Sequence, residues 1–411
     1  MIIERPDELE RISKTKKWVL VYGRRKTGKT FLVERFVDHD EFFFVRRDRQ
    51  IISKKGMATL NYDTFLAVLI RALEDGKTVV VDEFQRLGDD FLDILHQMQK
   101  HGKLILISST LHLSKRLLSG RSALLGLFAE VPVGLISMRD CMNALDGHNI
   151  GKKEMVEFSI MMREPLAVDY IDVDRRPRDI FADILTGSIM TVPALVGEVF
   201  TEEERSVSAV YEGILRAIGG GKEKTGEISS HLFSNKLIKK DDPSLLSQYL
   251  NNMVGFGIIK KIAVHGKRRF VYKHVSPLVK LFYYADEKYH ISERAPGKKE
   301  IARIIDEVMP KLVEDNLREF LAQSMGLTEV MVEEKDYDVD ILLLKFKKPE
   351  LAIEVKWGNV TKSDVARAGD SLARIGAPET ALFVPDKKMV VTEGLDVWDI
   401  WDVCRGPGES G

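Results

Sequence analysis

Eight residues, Gly23-Arg24-Arg25-Lys26-Thr27-Gly28-Lys29-Thr30, restrict this chain more than any others, because they fit the pattern G-x-x-x-x-G-K-[ST] between a strand and a helix. The apolar run Trp18-Val19-Leu20-Val21-Tyr22 leads straight into them, and Phe31 to Phe36 continues with helical spacing. Strand, glycine-bounded turn and helix in this order make a P-loop. Gly23 and Gly28 let the backbone curl so that successive N–H groups face inward, and the helix N-terminus adds partial positive charge. The whole run is therefore expected to cradle the phosphates of ATP. Lys29 would reach the β- and γ-phosphates, and Thr30 would hold Mg²⁺.

ATP chemistry needs a second element, and Thr78-Val79-Val80-Val81-Asp82-Glu83 supplies one. An apolar run ending in two carboxylates reads as a buried parallel strand that delivers acids to the crevice at its C-terminal end. Asp82 is expected to bind Mg²⁺ through water, and Glu83 to orient and deprotonate the attacking water. A third strand, Lys103 to Ile107, ends in Ser108-Ser109-Thr110. There Ser109 is a candidate sensor of the γ-phosphate, and an ordinary strand-ending turn is an equal reading.

With 411 residues the chain exceeds a single core, so two to four domains are expected. The net charge is −1, which gives no global basic field, and any nucleic-acid contact must come from a local patch. Cys141 and Cys404 stand far apart without ligand-spaced neighbours, which argues against a disulfide framework or a zinc site. The N-terminus is charged within four residues and no apolar stretch approaches the roughly twenty residues that span a bilayer. A cytoplasmic protein without membrane contact is expected.

Residues 1–140 alternate short strands with helices such as Tyr62 to Leu73 and Phe91 to Lys100, which predicts an α/β core, a parallel sheet covered on both faces. Residues 141–205 read as a helical lid and linker ending near the acidic Glu202-Glu203-Glu204. Between 206 and 290, three helices precede two strands joined at Gly266, the pattern of a winged helix. Its ribbon, Gly257 to Val275, carries Lys260, Lys261, Lys267, Arg268, Arg269 and Lys273 and no acid, so Lys267, Arg268 and Arg269 are candidate contacts to DNA or RNA phosphates. The helix before it offers only Gln248, Asn251 and Asn252 to a major groove, so a protein contact is an equal reading.

Residues 295–411 begin with a long helix, Lys299 to Met325, and continue with strands near 329–333, 339–346, 351–356 and 381–385, a helix at 363–375 separating the last two. Asp340 begins one strand, and Glu354-Val355-Lys356 ends the next, with Glu354 and Lys356 on one face. Two carboxylates on neighbouring strands can hold a divalent cation while a lysine positions water or stabilises charge on phosphorus. This arrangement resembles the PD-(D/E)xK nucleases, whose fold is restriction-endonuclease-like. That resemblance implies Glu314 as the additional acid of the preceding helix, with Glu319 in reserve, and catalytic roles for Asp340, Glu354 and Lys356. Val339 stands where the motif has proline. Retained cleavage and a fold kept for binding alone are both open.

Taken together, the opening Ile3-Glu4-Arg5-Pro6-Asp7-Glu8-Leu9, the P-loop, Val81-Asp82-Glu83 and Ser109 resemble the archaeal ATPase family of the P-loop class that includes AAA+ and STAND proteins. The resemblance is to the version with a C-terminal winged helix and nuclease-like domain. It implies an adenine contact near Pro193, where the family's glycine-x-proline reads Thr191-Val192-Pro193, and an arginine finger that only the displaced Arg121 could supply here. The expected function is a Mg²⁺-dependent ATPase coupling nucleotide state to nucleic-acid binding or processing. The alternative is a STAND-like switch in which ATP controls assembly with a protein client or in a homo-oligomer.

Overall fold

Runs of β-branched and aromatic residues without internal charge are stable as strands buried on both faces, and they form the middle of the first sheet. The computed structural model describes all residues except 99–100, 110–125, 203–207, 295, 335, 391, 393 and 406–411. One compact unit comprises residues 4–135 and 195–206. Its strands are β1 (Trp18–Tyr22), β2 (Glu41–Val45), β3 (Ile51–Ser53), β4 (Ala58–Leu60), β5 (Thr78–Asp82), β6 (Lys103–Ser108) and β7 (Phe128–Pro132), in the order β4-β3-β2-β5-β6-β1-β7.

From β2 to β7 every pair is parallel, so the carboxyl ends of β1 and β5 open on the same edge of the sheet. The parallel sheet expected from the sequence runs from β2 to β7 and gives way at the other edge, where β2, β3 and β4 pair antiparallel. The links 46–50 and 54–57 are too short for the crossover that parallel neighbours require. Side-chain alternation then builds two cores. Trp18 and Leu20 pack on one face with Phe65 and Leu69 of helix Tyr62–Glu74, while Val19 and Val21 pack on the other with Leu32 and Val33 of helix Lys29–Phe36.

The second unit comprises residues 1–3, 136–194 and 207–411. Helices Met138–Leu145, Lys152–Met162, Pro165–Val168 and Pro177–Gly187 come first. Helices Ala209–Gly219, Thr225–Ser234 and Ser247–Gly255 follow, then the ribbon of β8 (Ile259–Val264) and β9 (Phe270–His274). After helices Pro277–Tyr289 and Lys298–Met325 come β10 (Thr328–Met331), β11 (Ile341–Lys345), β12 (Lys348–Val355), helix Lys362–Ile375, β13 (Glu379–Phe383) and β14 (Asp396–Trp398). The ribbon does not stand alone. β8 pairs in parallel with β10, so one seven-stranded sheet runs β14-β13-β12-β11-β10-β8-β9. That pairing satisfies an edge of the ribbon that would otherwise present open backbone groups. Among the described residues no single helix is long and apolar enough to cross a membrane.

Candidate functional site

The P-loop leaves the end of β1 at Gly23, where a Cβ would lie 2.1 Å from the carbonyl oxygen of Val133. No other residue type fits that approach without backbone movement. Lys26 (φ 63) and Gly28 (φ 85) are both left-handed and bracket Thr27. The Thr27 hydroxyl lies 2.9 Å from Arg24 O and 3.0 Å from Val133 O, pinning the loop to the residue after β7. Arg5 clamps it from the other side, its guanidinium donating to Thr27 O (2.8 Å) and Gly134 O (3.0 Å). Arg25 pairs with Glu198 at 2.9 Å.

Lys29 is buried, and its ammonium donates to Gly23 O (3.0 Å) and Arg24 O (2.8 Å) across the mouth of the loop. Burial pushes it down to about 8, because carbonyl dipoles replace only part of the lost hydration. Thr30 Oγ1 donates to Asp82 Oδ2 at 2.7 Å, and the other Asp82 oxygen accepts from the Glu83 N–H at 2.9 Å. Burial pushes Asp82 up to about 6. A hydroxyl and a carboxylate side by side are the hard oxygen donors Mg²⁺ selects, so this donor set fits that ion.

Glu83 follows Asp82 in a left-handed conformation (φ 56), uncommon for a side chain of its size. Its Oε2 accepts from Gln85 Nε2 (2.6 Å) and Ser109 Oγ (3.1 Å) and pairs with Arg86 (3.0 Å). The sequence reading brought Glu83 and Ser109 to one crevice but missed Gln85 and Arg86, which sit in the one-turn helix Phe84–Arg86 and carry no pattern of their own. Pro193 is half-buried in helix Thr191–Glu202. Thr110 and Arg121 lie outside the described residues.

In the second unit, Ile341 pairs with Ile353, and Asp340 and Glu354 are the next residues outward from that pair. Asp340 Oδ2 accepts from the Val355 N–H at 2.9 Å, and Lys356 Nζ donates to Glu354 Oε1 at 2.8 Å. The remaining Glu354 oxygen is buried with no hydrogen-bond partner. Burial, reinforced by the charge of Glu354, pushes Asp340 up. For Lys356 burial works downward, yet the hydrogen bond and charge of Glu354 outweigh it and hold the ammonium above its usual value. Glu314, expected as a further ligand, pairs with Lys311 at 2.6 Å, and burial, reinforced by the charge of Asp340, pushes it up to about 7. Among the described residues no group of three His, Cys, Asp or Glu could hold a metal ion. An ion here would therefore lean on Asp340, Glu354 and water. Glu319 is taken by Arg163 and by Lys260 (2.8 Å), which hold it down at about 2.

The ribbon bases are mostly paired with acids that lie outside the ribbon in sequence. Lys267 meets Glu334 at 3.0 Å, Arg269 meets Glu333 at 3.2 Å, and buried Lys273 meets Glu223 at 2.9 Å and Asp315 at 3.0 Å. Arg268 is exposed.

The strand order, the loop and the Asp82 carboxylate define the first unit as a P-loop nucleotide-binding domain. Residues 15–133 match the family model described as an AAA domain. No curated protein matches the chain. Among solved structures, the chain is similar to the Walker-type ATPase paby2304 of Pyrococcus abyssi, with 20% identity over 69% of this chain and 96% of that one and a TM-score of 0.48. It is also similar to the Aeropyrum pernix ORC1 protein in complex with DNA (15% identity, 72% and 95% covered, TM-score 0.32).

Proposed function

We propose that this protein binds and hydrolyses Mg²⁺-ATP and couples its nucleotide state to nucleic-acid binding or processing by the second unit. The observation that carries the nucleotide half is the Thr30–Asp82 hydrogen bond beneath a loop whose lysine is turned onto its own carbonyls. Bound Mg²⁺ would supply neutralisation of phosphate charge, and Thr30 and Asp82 would hold it. Lys29 exchanges its carbonyl partners for the β- and γ-phosphates. Glu83 serves as base toward water once its carboxylate is released from Gln85 and Arg86. Pro193 is assigned to the adenine.

The nucleic-acid half is supported by Asp340 and Glu354 at the same end of the β11–β12 pair, Asp340 accepting from the Val355 N–H and Lys356 donating to Glu354, and by the unpartnered Glu354 oxygen. These groups fit one divalent cation and a phosphodiester. The test is ATP hydrolysis and cleavage of DNA and RNA by one preparation, with Mg²⁺ or Mn²⁺. Turnover of ATP stimulated by nucleic acid supports the reading, and its absence with either ion refutes the coupling.

A second reading, the nucleotide-controlled assembly switch, is favoured by one observation. Glu333 and Glu334 neutralise two of the three ribbon bases assigned to phosphate contacts.

A further inference from the structure

Phe346 is the most exposed of the large apolar side chains among the described residues, 92% accessible, at the tip of the β11–β12 hairpin. Lys345 pairs with Lys348, leaving Phe346-Lys347 as a two-residue loop with left-handed φ at both positions, 47° and 69°. Such turns form most readily from Asn-Gly, since a side chain of ordinary bulk disfavours positive φ. Phenylalanine here serves neither the turn nor the core. The surrounding residues are basic. Lys345 shares Glu350 at 3.5 Å, whereas Lys347 and Lys348 are exposed and make no ion pair among the described residues.

The other end of the same hairpin carries Asp340 and Glu354. At about 3.3 Å per residue, Phe346 stands about 20 Å along the hairpin from Asp340. That is the length of about six base pairs at 3.4 Å each. A nucleic-acid chain whose phosphodiester lay at Asp340 would reach the tip.

We propose that the Phe346-Lys347-Lys348 tip is a nucleic-acid contact. Phe346 stacks on a base while Lys347 and Lys348 neutralise neighbouring phosphates. The proposal rests on the nucleic-acid reading of the second unit and adds to it the element that grips the strand. Nucleic acid is favoured over a lipid surface because the hairpin also bears the phosphodiester-suited carboxylates, and because one aromatic ring is a poor membrane anchor.

The decisive variant is Phe346→Asn with Lys347→Gly, which removes the ring and one charge while giving the turn its preferred residues, so the fold is retained or strengthened. Fluorescence anisotropy of the full chain with labelled single-stranded and duplex DNA and RNA, from 50 to 200 mM salt, reads the result. The double variant is expected to bind about tenfold more weakly. Lys347→Gln with Lys348→Gln should lower the slope of log affinity against log salt by about 1.8 on duplex DNA. Unchanged affinity in the double variant, with wild type binding, overturns the tip and leaves the nucleic-acid reading standing. Wild type that binds no nucleic acid overturns both. Capture by anionic phosphatidylserine vesicles, lost in the double variant and without nucleic-acid binding, assigns the tip to a membrane instead.

Discussion

Thr30 and Asp82, 52 residues apart, meet through a 2.7 Å hydrogen bond from Thr30 Oγ1 to Asp82 Oδ2. The contact joins the helix after the P-loop to the end of β5, and burial pushes the Asp82 carboxyl up to about 6. A cation needs the ionised form, so Mg²⁺-dependent ATP affinity should fall as pH drops through about 6. Asp82→Asn should lose at least tenfold in Mg²⁺-ATP affinity at pH 7.5, with metal-free ATP binding little changed. Because the folded-state value lies above that of the unfolded chain, the nucleotide-free protein is favoured below about pH 4 and loses that contribution as pH rises through about 6. Asp82→Asn should therefore melt higher at pH 7, which differential scanning calorimetry would read.

Lys29 presents the opposite sign. Its ammonium is buried against carbonyls and held down at about 8, so the nucleotide-free fold gains stability as pH rises above about 8 toward the unfolded value near 10.5. Lys29→Met should raise nucleotide-free stability at pH 7 by about 1–3 kcal/mol and abolish stabilisation by ATP. Chemical denaturation with and without nucleotide separates the two effects.

Glu83 tests hydrolysis apart from binding. Glu83→Gln keeps the volume and loses the base, so steady-state turnover should fall about 10²-fold or more while ATP affinity holds. Equal turnover in the variant would remove Glu83 from the reaction.

The first unit was legible because its chemistry lies in contiguous words. Glycines, lysine and hydroxyl within Gly23–Thr30 and the acids after Val81 specify their roles locally, and the structure brings Thr30, Asp82, Glu83 and Ser109 together. The Arg5 clamp was visible only as an arginine in an opening motif, since its partners Thr27 O and Gly134 O are backbone atoms that carry no sequence signal. The ribbon was misleading for a related reason. Its lysines looked unopposed because Glu223, Asp315, Glu319, Glu333 and Glu334 are outside it in sequence and are brought beside it by folding. The antiparallel β3 and β4 were missed because such short strands lack a period long enough to read.

Asp315 gathers three cations in the second unit. Its carboxylate meets Lys273 (3.0 Å), Lys280 and Arg318 (3.1 Å), and these cations hold it well below the usual carboxylate range despite burial. Removing its charge takes the ion-pair partner from Lys280 and buried Arg318 and leaves Lys273 with Glu223 alone, so Asp315→Asn should cost about 3–5 kcal/mol in urea unfolding. The depressed value means its contribution is present above about pH 4 and lost as pH falls further, adding to acid unfolding.

The proposed contact of the ribbon with nucleic acid can be tested apart from its ion pairs. Replacing Lys267, Arg268 and Arg269 with glutamine should weaken salt-sensitive DNA or RNA binding and lower its salt slope. Glu333→Gln with Glu334→Gln should strengthen it by releasing two of the three bases. Indifference to both changes would favour the assembly switch.

Calorimetric titration of Mg²⁺-ATP into the wild type and Lys29→Ala decides whether the loop at Gly23–Thr30 is a working nucleotide site. Saturable one-site binding in the wild type, absent from the folded variant, is the expected result. No binding to the wild type, or equal binding to both, would contradict it.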